Sequence, residues 1–460
     1  MSCLVDLILK NFSGKSVVLL GFGREGQATY SILRKIFPEM DITIADVNES
    51  VRENPLTIED QHVVFISGEN CLNQLSSFDV IIRSPGIPIW KQMTTFNKKI
   101  TSQTDLFLQS YSNQVIGITG TKGKSTTSSL IHHILNIAGK DTILAGNIGN
   151  PLFHFIDRIK PETKIIAELS SHQLEFLNCA PHIAVFLNLF QEHLDAYPSY
   201  DSYQQAKVNI VRFQKKDDFI IYNSEDLLVS EKVEPYLKER QAYSFALHHK
   251  VSRGCFIRED WMVFVDENRE IPVWKIHQDR FLRGEHNLKN IMAAVNVAMI
   301  LGVEIEAIED GIATFKGLEH RLEYVGEFQN IHFYNDSIAT IPEACMEAIK
   351  AIPKVDTLIA GGFDRGIDYS GLAIFLKGSA VRNLILVGAA GRRIGENLEN
   401  IESFGKNLFY INRFDDFQPI AFRETRPGYA CLLSPAASSY DEFKNFEERG
   451  KRYRALVKMK

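Results

Sequence analysis

Hydrophobic positions in this chain form short continuous apolar runs. A loop rich in glycine or small polar residues follows most of these runs, and a segment with helical spacing often comes next. Buried strands that alternate with helices are typical of an α/β fold. The pattern predicts strands at residues 15–20, 42–46, 78–82, 114–118, 142–145, 164–168, 183–188, 331–336, 357–360, 383–387 and 430–434.

The strand-and-helix pattern occurs in three blocks, and a chain of 460 residues is too long for one ordinary core. We therefore predict three α/β domains. A Rossmann-like domain covers residues 1–103, a P-loop-type ATPase domain covers 104–317, and a second Rossmann-like domain covers 318–460. Within the central domain, residues 219–274 have the pattern of short strands and turns.

A glycine-rich loop lies between a predicted strand and a helix at residues 117–127, Gly-Ile-Thr-Gly-Thr-Lys-Gly-Lys-Ser-Thr-Thr. Glycines let main-chain N–H groups approach an anion, and the N-terminus of the helix adds partial positive charge. Lys124 would reach the terminal phosphates of a nucleotide, and the hydroxyl of Ser125 or Thr126 would ligate Mg²⁺.

The spacing of this loop departs from the strict P-loop pattern, because Gly120 and Gly123 are separated only by Thr121 and Lys122. The alternative is a glycine turn before an ordinary helix. The convergence of lysines, glycines and hydroxyls favours a phosphate site.

A second glycine-rich loop, Gly21-Phe-Gly-Arg-Glu-Gly26, follows the first predicted strand, and Asp46 ends the next one. This arrangement looks like a dinucleotide-binding fingerprint and by itself would suggest NAD. In structural terms, this fingerprint specifies only a tight turn, a helix N-terminus that can bind a pyrophosphate, and an acid near a ribose or base. Any nucleotide diphosphate meets that description.

Three further residues in the central domain are candidates for the ATP chemistry. Glu168 ends a predicted strand in the same sheet as the glycine-rich loop 117–127, called the phosphate loop below, and is placed to hold Mg²⁺. The alternative is a solvated or capping acid. His193 could bind a metal or a phosphate, or serve only a structural role. The spacing of Lys207 on its predicted helix indicates no more than a surface charge.

The composition narrows the class of protein. Hydrophobic residues make up 45% and charged residues 23% of the chain, and the net charge is −6 without a basic block. These values argue against general binding to nucleic acid or to membrane surfaces. We expect no signal peptide and no membrane insertion. The six cysteines are scattered, as in reduced cytosolic proteins, at positions 3, 71, 179, 255, 345 and 431.

In the third block, predicted strands again deliver small polar residues to one sheet edge, at Asp336, 361–366, 388–391 and 435–439. Three blocks with such edges predict three ligands, namely a nucleotide diphosphate, ATP and a small acceptor.

Several segments together resemble the Mur ligases, the cytoplasmic enzymes that form the peptide bonds of peptidoglycan precursors. The C-terminal segment and the Rossmann-like first domain are similar to those of the glutamate-adding member of that family. The resemblance covers nearly the whole chain, and its segments are 117–126, 168–175, 187–195, 285–290, 319–323, 335–337 and 433–450.

The resemblance implies a cytoplasmic, monomeric, ATP- and Mg²⁺-dependent ligase. ATP would phosphorylate the carboxylate of UDP-N-acetylmuramoyl-L-alanine, and the amine of glutamate would attack the acyl phosphate. Lys124 would contact the γ-phosphate, while Ser125, Glu168, His193 and a carbamylated Lys207 would organise two Mg²⁺ ions. The other implied contacts are Gly120, Thr121, Lys122, Gly123, Thr126, Asn290, Arg321 and Asp336 for ATP; Phe22, Gly23, Arg24, Glu25, Val47, Ser84 and Asn147 for the UDP-sugar; and Thr340, Arg365, Ser439 and Phe446 for glutamate.

The chain departs from the usual family pattern at three positions. Lys122 replaces an asparagine, Ile338 replaces a lysine, and Arg365 replaces a lysine of the glycine-rich loop. Two of these changes fall near the implied amino-acid pocket, and arginine holds a carboxylate in a different geometry from lysine. The departures are similar to a branch that adds L-glutamate and relies on a separate epimerase. We therefore favour L-glutamate slightly over D-glutamate.

Other functions stay open on the sequence alone. A folylpolyglutamate-synthetase-like ligase shares the ATP core, but the first block and the C-terminal segment disfavour it. A non-catalytic nucleotide-binding protein would not need Lys124, Glu168, His193 and Lys207 together. An NAD-dependent dehydrogenase is the weakest alternative.

Overall fold

The structure is a computed structural model that describes residues 2–68, 71–89, 100–191, 197–278, 280–282, 284–400 and 405–459. The predicted α/β class is confirmed, with sheets that are mostly parallel and flanked by helices. The chain divides into two compact units. One comprises Met1–Asp279 with Glu285–Ala313, and the other comprises Arg280–Gly284 with Thr314–Lys460. The boundaries of the three proposed domains stay a prediction.

The first sheet of the first unit is parallel throughout, in the order β3-β2-β1-β4-β5. Its central strand β1 therefore ends between β2 and β4. This order places the glycine loop at residues 21–26, called the first glycine loop below, at the switch point of the sheet. The elements of this region are α1 (Ser2–Phe12), β1 (Val17–Leu20), α2 (Arg24–Ile36), β2 (Ile42–Asp46), β3 (Val63–Ser67), β4 (Val80–Arg83), β5 (Ile100–Thr101) and α3 (Gln103–Tyr111).

The second sheet of this unit has the order β14-β13-β12-β11-β10-β9-β6-β8-β7. It is parallel from β7 to β12, and β12, β13 and β14 pair antiparallel at one end. Its strands are β6 (Val115–Thr119), β7 (Thr142–Gly146), β8 (Lys164–Glu168), β9 (Ile183–Phe186), β10 (Phe219–Asn223), β11 (Gln241–Ala246), β12 (Gly254–Arg258), β13 (Trp261–Asp266) and β14 (Arg269–Lys275). Its helices are α4 (Lys124–Ile137), α5 (Ser171–Leu174), α6 (Tyr200–Arg212), α7 (Leu227–Leu237), α8 (Glu285–Ile300) and α9 (Ile305–Thr314).

The second unit contains one sheet in the order β15-β16-β20-β17-β18-β19, in which only β15 and β16 pair antiparallel among the described residues. Its strands are β15 (Glu323–Phe328), β16 (Ile331–Asn335), β17 (Val355–Gly361), β18 (Asn383–Val387), β19 (Asn407–Ile411) and β20 (Ala430–Leu433). Its helices are α10 (Pro342–Ala351), α11 (Ser370–Gly378), α12 (Gly388–Glu399), α13 (Phe417–Glu424) and α14 (Phe446–Lys458).

The predicted strands are confirmed to within two residues at each end. The interpretation of residues 219–274 as strands and turns alone is wrong, because α7 lies between β10 and β11. This helix carries Pro235 in its last turn, a residue that normally ends or interrupts a helix. None of the helices in the described ranges is long and apolar enough to span a membrane.

Burial of the central strand β6 fixes the position of its carboxyl end, where the phosphate loop begins. Every residue of β6 is buried, as expected for a central parallel strand whose two faces are both covered. On the helical layer, α4 contacts α8. Asn290 on α8 thereby reaches the phosphate loop, since a Cβ built on Gly123 would lie 2.5 Å from the Asn290 Oδ1.

We expect Gly26→Ala to destabilise the first unit. A Cβ at Gly26 would lie 2.1 Å from the Gly21 carbonyl oxygen, and main chain cannot yield as a flexible side chain can. Overpacking of this kind costs about 1–3 kcal/mol in the free energy of unfolding. Urea denaturation measures the loss.

The matched control is Gly23→Ala in the same loop, where a Cβ would meet nothing within 4 Å and φ is −71°. That variant should lose less than about 1 kcal/mol. Equal losses in both variants would contradict the role given to the close approach at Gly26.

Candidate functional site

A pocket of about 310 Å³ opens at the carboxyl edge of the second sheet. It brings together the phosphate loop, the ends of β7 and β8, helix α6 and the loop after β4. Its lining residues are Pro85, Gly86, Lys124, Asn147, Ser170, Ser171, His172, Tyr203 and Lys207.

The phosphate loop runs from the end of β6 into α4. Gly123 has a φ of +84°, a left-handed conformation that glycine adopts without strain, and α4 begins at the next residue. The Lys124 Nζ donates to the carbonyl oxygens of Gly120 at 2.9 Å and Thr121 at 3.0 Å. The lysine is therefore held over the loop, where a bound phosphate would meet it together with the helix N-terminus.

Lys207 is not the surface charge that its helical spacing indicated. The side chain is buried, and its Nζ donates to the Gly120 carbonyl oxygen at 2.9 Å. The same Nζ lies 5.0 Å from the centroid of the Tyr203 ring. The Tyr203 hydroxyl in turn lies 3.0 Å from the Thr121 Oγ1, so both side chains bind α6 to the phosphate loop.

Glu168 lies at the end of β8 and is buried. Its Oε1 accepts a hydrogen bond from the Asn147 Nδ2 at 2.6 Å, whereas its Oε2 makes no hydrogen bond within the described part of the chain. A buried carboxylate oxygen without a protein donor suits a hard cation, and Mg²⁺ commonly takes one or two carboxylates together with water and substrate phosphates.

The rest of the proposed metal set is less complete in the structure. Ser125 is the second residue of α4, beside Lys124. His193 lies outside the described residues. Across the described ranges, no group of three or more His, Cys, Asp or Glu residues could hold a metal ion. The fit to Mg²⁺ therefore rests on the Glu168 oxygen.

The first glycine loop is held by neighbouring strand ends. The Phe22 N–H donates to the Asp46 Oδ2 at 2.8 Å, and the Ser84 Oγ donates to the Gly21 carbonyl oxygen at 2.8 Å. Asp46 thus holds the loop in place. The sequence spacing alone could not distinguish this role from a contact with a ribose. Val47, the next residue, is exposed.

The residues after Gly23, the N-cap of α2, connect this loop to the central sheet. Arg24 donates through Nη1 to the Gly149 carbonyl oxygen at 3.1 Å. The Glu25 Oε1 accepts from the Gln173 Nε2 at 2.6 Å. Burial raises the pKa of Glu25 to about 7, and the bond from Gln173 only partly offsets that shift.

In the second unit, the candidate nucleotide residues lie at the end of β16. Asp336 is buried, and its oxygens accept hydrogen bonds from the Leu322 N–H at 3.1 Å and the Ser434 hydroxyl at 2.8 Å. Burial raises the pKa of Asp336 to about 7 against the lowering effect of these bonds and of the Arg321 charge. Arg321 is exposed.

The candidate glutamate residues fall on neighbouring loops of the same unit. The Arg365 Nη2 donates to the Thr340 carbonyl oxygen at 3.0 Å. Ser439 is buried in the loop after β20. Phe446 begins α14, and its carbonyl oxygen accepts from the Ser337 hydroxyl at 2.8 Å.

Sequence reasoning missed several pocket residues. Tyr203 lies four residues before Lys207 on α6, so helical spacing could have placed both on one face. Ser170 and His172 lie in the segment 168–175, which the sequence places beside Glu168 at the sheet edge without indicating a role for either residue. Arg83 does not line the pocket but donates to the carbonyl oxygen of the lining residue His172. The sequence gave no signal of this contact, because the burial of Arg83 depends on residues distant in sequence.

Comparison with known proteins gives consistent matches. Residues 118–298 match the family model described as Mur ligase middle domain. The chain is 32% identical to the UDP-N-acetylmuramoylalanine--D-glutamate ligase of Caldanaerobacter subterraneus subsp. tengcongensis, over 96% of this chain and 98% of that protein. It is 34% identical to the enzyme of the same name from Listeria monocytogenes, over 97% and 96% of the two chains.

A solved structure shows the same fold. The MurF ligase of Thermotoga maritima in complex with ADP matches with a TM-score of 0.54 at 15% identity, over 96% of this chain and 94% of that one.

The pKa of Asp336 generates a prediction for the second unit. A carboxyl with a pKa raised from 3.8 to about 7 holds a proton in the folded state that the unfolded chain releases between these values. The stability this proton contributes is present at low pH and is lost as the pH rises through about 7. The free energy of unfolding of the wild type, relative to Asp336→Asn, should therefore fall between about pH 4 and pH 7 and stay level above that range.

Denaturant titrations across this pH range measure the difference. Asp364→Asn is the control, because the Gly366 N–H and Arg393 lower the pKa of Asp364, so its titration lies below this range. A flat difference for Asp336→Asn would show that the carboxyl does not hold its proton in the folded protein.

Proposed function

This chain belongs to the Mur ligase family, and on that premise we propose that it joins glutamate to UDP-N-acetylmuramoyl-L-alanine with hydrolysis of ATP. The observation that carries the proposal is the pocket beside the phosphate loop, which Lys124 and Lys207 line, together with the unbonded carboxylate oxygen of Glu168, whose other oxygen accepts from the lining residue Asn147. Positioning and neutralisation of charge are the main requirements of phosphoryl transfer.

The proposed first step forms an acyl phosphate. A carboxylate oxygen of the alanyl end attacks the γ-phosphorus of ATP, and ADP leaves. Lys124 and the main chain from Gly120 to Thr126 would hold the phosphates, and Asn290 reaches the same loop. Arg321 and Asp336 are proposed to bind phosphate and ribose. The Thermotoga maritima MurF ligase, which shares the fold, was solved in complex with ADP, and this is consistent with binding of an adenine nucleotide.

The proposed second step forms the amide bond. The amine of glutamate attacks the acyl carbon, the tetrahedral intermediate expels phosphate, and the nitrogen loses a proton.

We propose that Mg²⁺ accompanies ATP and supplies neutralisation of phosphate charge. Glu168 would ligate it, together with Ser125, His193 and a carbamylated Lys207. The unbonded Oε2 of Glu168 supports this assignment.

The first glycine loop is assigned to the UDP-sugar instead of NAD. Phe22 and Ser84 lie at two neighbouring strand ends, the exposed Val47 follows a third, and Asn147 lines the pocket. The full set of residues proposed for the UDP-sugar is Phe22, Gly23, Arg24, Glu25, Val47, Ser84 and Asn147.

We further propose a monomer that works in the cytoplasm, as the family resemblance implies.

The stereochemistry of glutamate has two candidates. The relatives at 32% and 34% identity carry D-glutamate in their names. We propose L-glutamate as the preferred isomer because Ile338 and Arg365 depart from the usual lysines, and the Arg365 bond to Thr340 brings the two departures onto adjacent loops. Ser439 and Phe446 complete the proposed glutamate site.

We expect Lys124→Ala to abolish turnover, because it removes the charge that meets the γ-phosphate. Lys207→Ala should lower kcat by about 100-fold or more, with partial rescue by acetate if a carbamate is the active form. Phosphate release and a chemical-rescue titration measure both effects.

The control is Lys216→Ala, an exposed lysine just beyond α6 that should leave the rate unchanged. Normal ligation by Lys124→Ala or Lys207→Ala would remove that residue from the mechanism.

Isomer preference should follow the two departures. The wild type should release phosphate with UDP-N-acetylmuramoyl-L-alanine and L-glutamate faster than with D-glutamate. Ile338→Lys with Arg365→Lys should shift the ratio of kcat/KM towards the D isomer, because a lysine holds a carboxylate as a point charge. Turnover of the wild type with D-glutamate alone would reject the L assignment, and silence with both would reject the proposed acceptor.

A further inference from the structure

We propose that Arg83 is a positioning residue that joins two walls of the pocket and so sets the distance across which the substrate is held. One wall is the loop after β4, which contributes Pro85 and Gly86 to the pocket. The other is the segment after β8, which contributes Ser170, Ser171 and His172. The kinetic consequence rests on the proposed function, whereas the structural link does not.

The guanidinium of Arg83 contacts both walls at once. Its Nε donates to the Ile87 carbonyl oxygen at 2.8 Å, within the first wall. Its Nη1 donates to the His172 carbonyl oxygen at 3.2 Å, and its Nη2 pairs with the Glu175 Oε2 at 3.0 Å, both in the second wall. The Phe176 ring covers the group, with its centroid 4.9 Å from the guanidinium carbon.

The burial of this ion pair favours a positioning role over a simple contribution to stability. The Arg83 side chain is only 2% exposed, and that of Glu175 is 23% exposed. Removal of two charges from water offsets much of their attraction, so such pairs are weak evidence for net stability. Loss of one partner, however, leaves an uncompensated charge and frees both walls. Burial lowers the pKa of Arg83, and the Glu175 charge opposes that shift.

The second wall transmits this constraint towards Glu168. Ser170 caps α5, with the Gln173 N–H donating to its Oγ and the Gln173 Oε1 accepting from its N–H at 2.9 Å. Gln173 is also bonded to Glu25 of α2 at 2.6 Å. The segment from Glu168 to Glu175 is thus a short capped unit, and Arg83 fixes its far end to the first wall.

The test uses Arg83→Met and Glu175→Gln in the full chain. Hydrogen–deuterium exchange should rise in both walls, 84–89 and 170–176, for either variant, although Glu175 makes no contact with the first wall among the bonds described above. KM for the UDP-sugar should rise about tenfold or more, because the two walls that hold this ligand are no longer kept at one distance, and KM for ATP should rise less, since ATP is affected only through Glu168. The value of kcat should also fall, because misplacement of about 1 Å can cost 100-fold in rate. Arg83→Lys should recover only part of the loss, since lysine cannot match the planar fork.

The matched control is Arg34→Met in the same unit. Like Arg83, Arg34 forms an ion pair, here with Asp60 at 2.7 Å. It also donates to several carbonyl oxygens, including that of His62 at 3.0 Å. It should raise exchange around its own loops and leave both pocket walls and both KM values unchanged.

The outcomes are separable. Exchange that rises only at 84–89 in Arg83→Met, or that stays unchanged in the first wall of Glu175→Gln, would overturn the link. Unchanged KM values in an actively ligating protein would overturn its kinetic role. A wild type that does not ligate would reject the proposed function, and the exchange experiment would still decide on Arg83.

Discussion

Two lysine amines meet at one carbonyl oxygen, and the candidate site depends on that convergence. Lys124 approaches the Gly120 oxygen from the start of α4, and Lys207 approaches it from α6, each at 2.9 Å. The arrangement requires a loop tight enough to expose one carbonyl to two helices, which the left-handed Gly123 allows. It also requires β6 to end between β8 and β9, so that Glu168 arrives at the same edge. Sheet order and loop conformation together therefore create a region of concentrated charge that suits a polyphosphate.

The two glycine loops of the first unit share an architecture and differ in chemistry. The loop after β1 is held by the Asp46 carboxylate and the Ser84 hydroxyl, whereas the loop after β6 carries lysines. A switch-point loop without lysines suits binding of a diphosphate, while one with lysines and a nearby carboxylate suits phosphoryl transfer. This difference is consistent with a ligase that binds one nucleotide only as part of its substrate and hydrolyses the other, ATP.

The sequence predicts those parts of the fold that local pattern decides. Strands 164–168 and 383–387 occur at the predicted residues because both are buried apolar runs that end at a distinct polar or glycine residue. Helix α7 escaped prediction because Pro235 and weak amphipathicity obscure its pattern. The burial of Lys207 and Arg83 could not be predicted, since each depends on groups far away in sequence, namely Gly120 for one and His172 with Glu175 for the other. Family resemblance pointed to Lys207 where spacing did not.

The most direct measurement of carboxylate activation at this pocket is isotope transfer. The alanyl carboxylate of UDP-N-acetylmuramoyl-L-alanine is labelled with ¹⁸O, and the protein turns it over with ATP and glutamate. Attack on the γ-phosphorus followed by expulsion of phosphate predicts that the released phosphate carries one ¹⁸O atom. Unlabelled phosphate, or label that appears in AMP, would contradict an acyl phosphate formed at the Lys124 and Lys207 site.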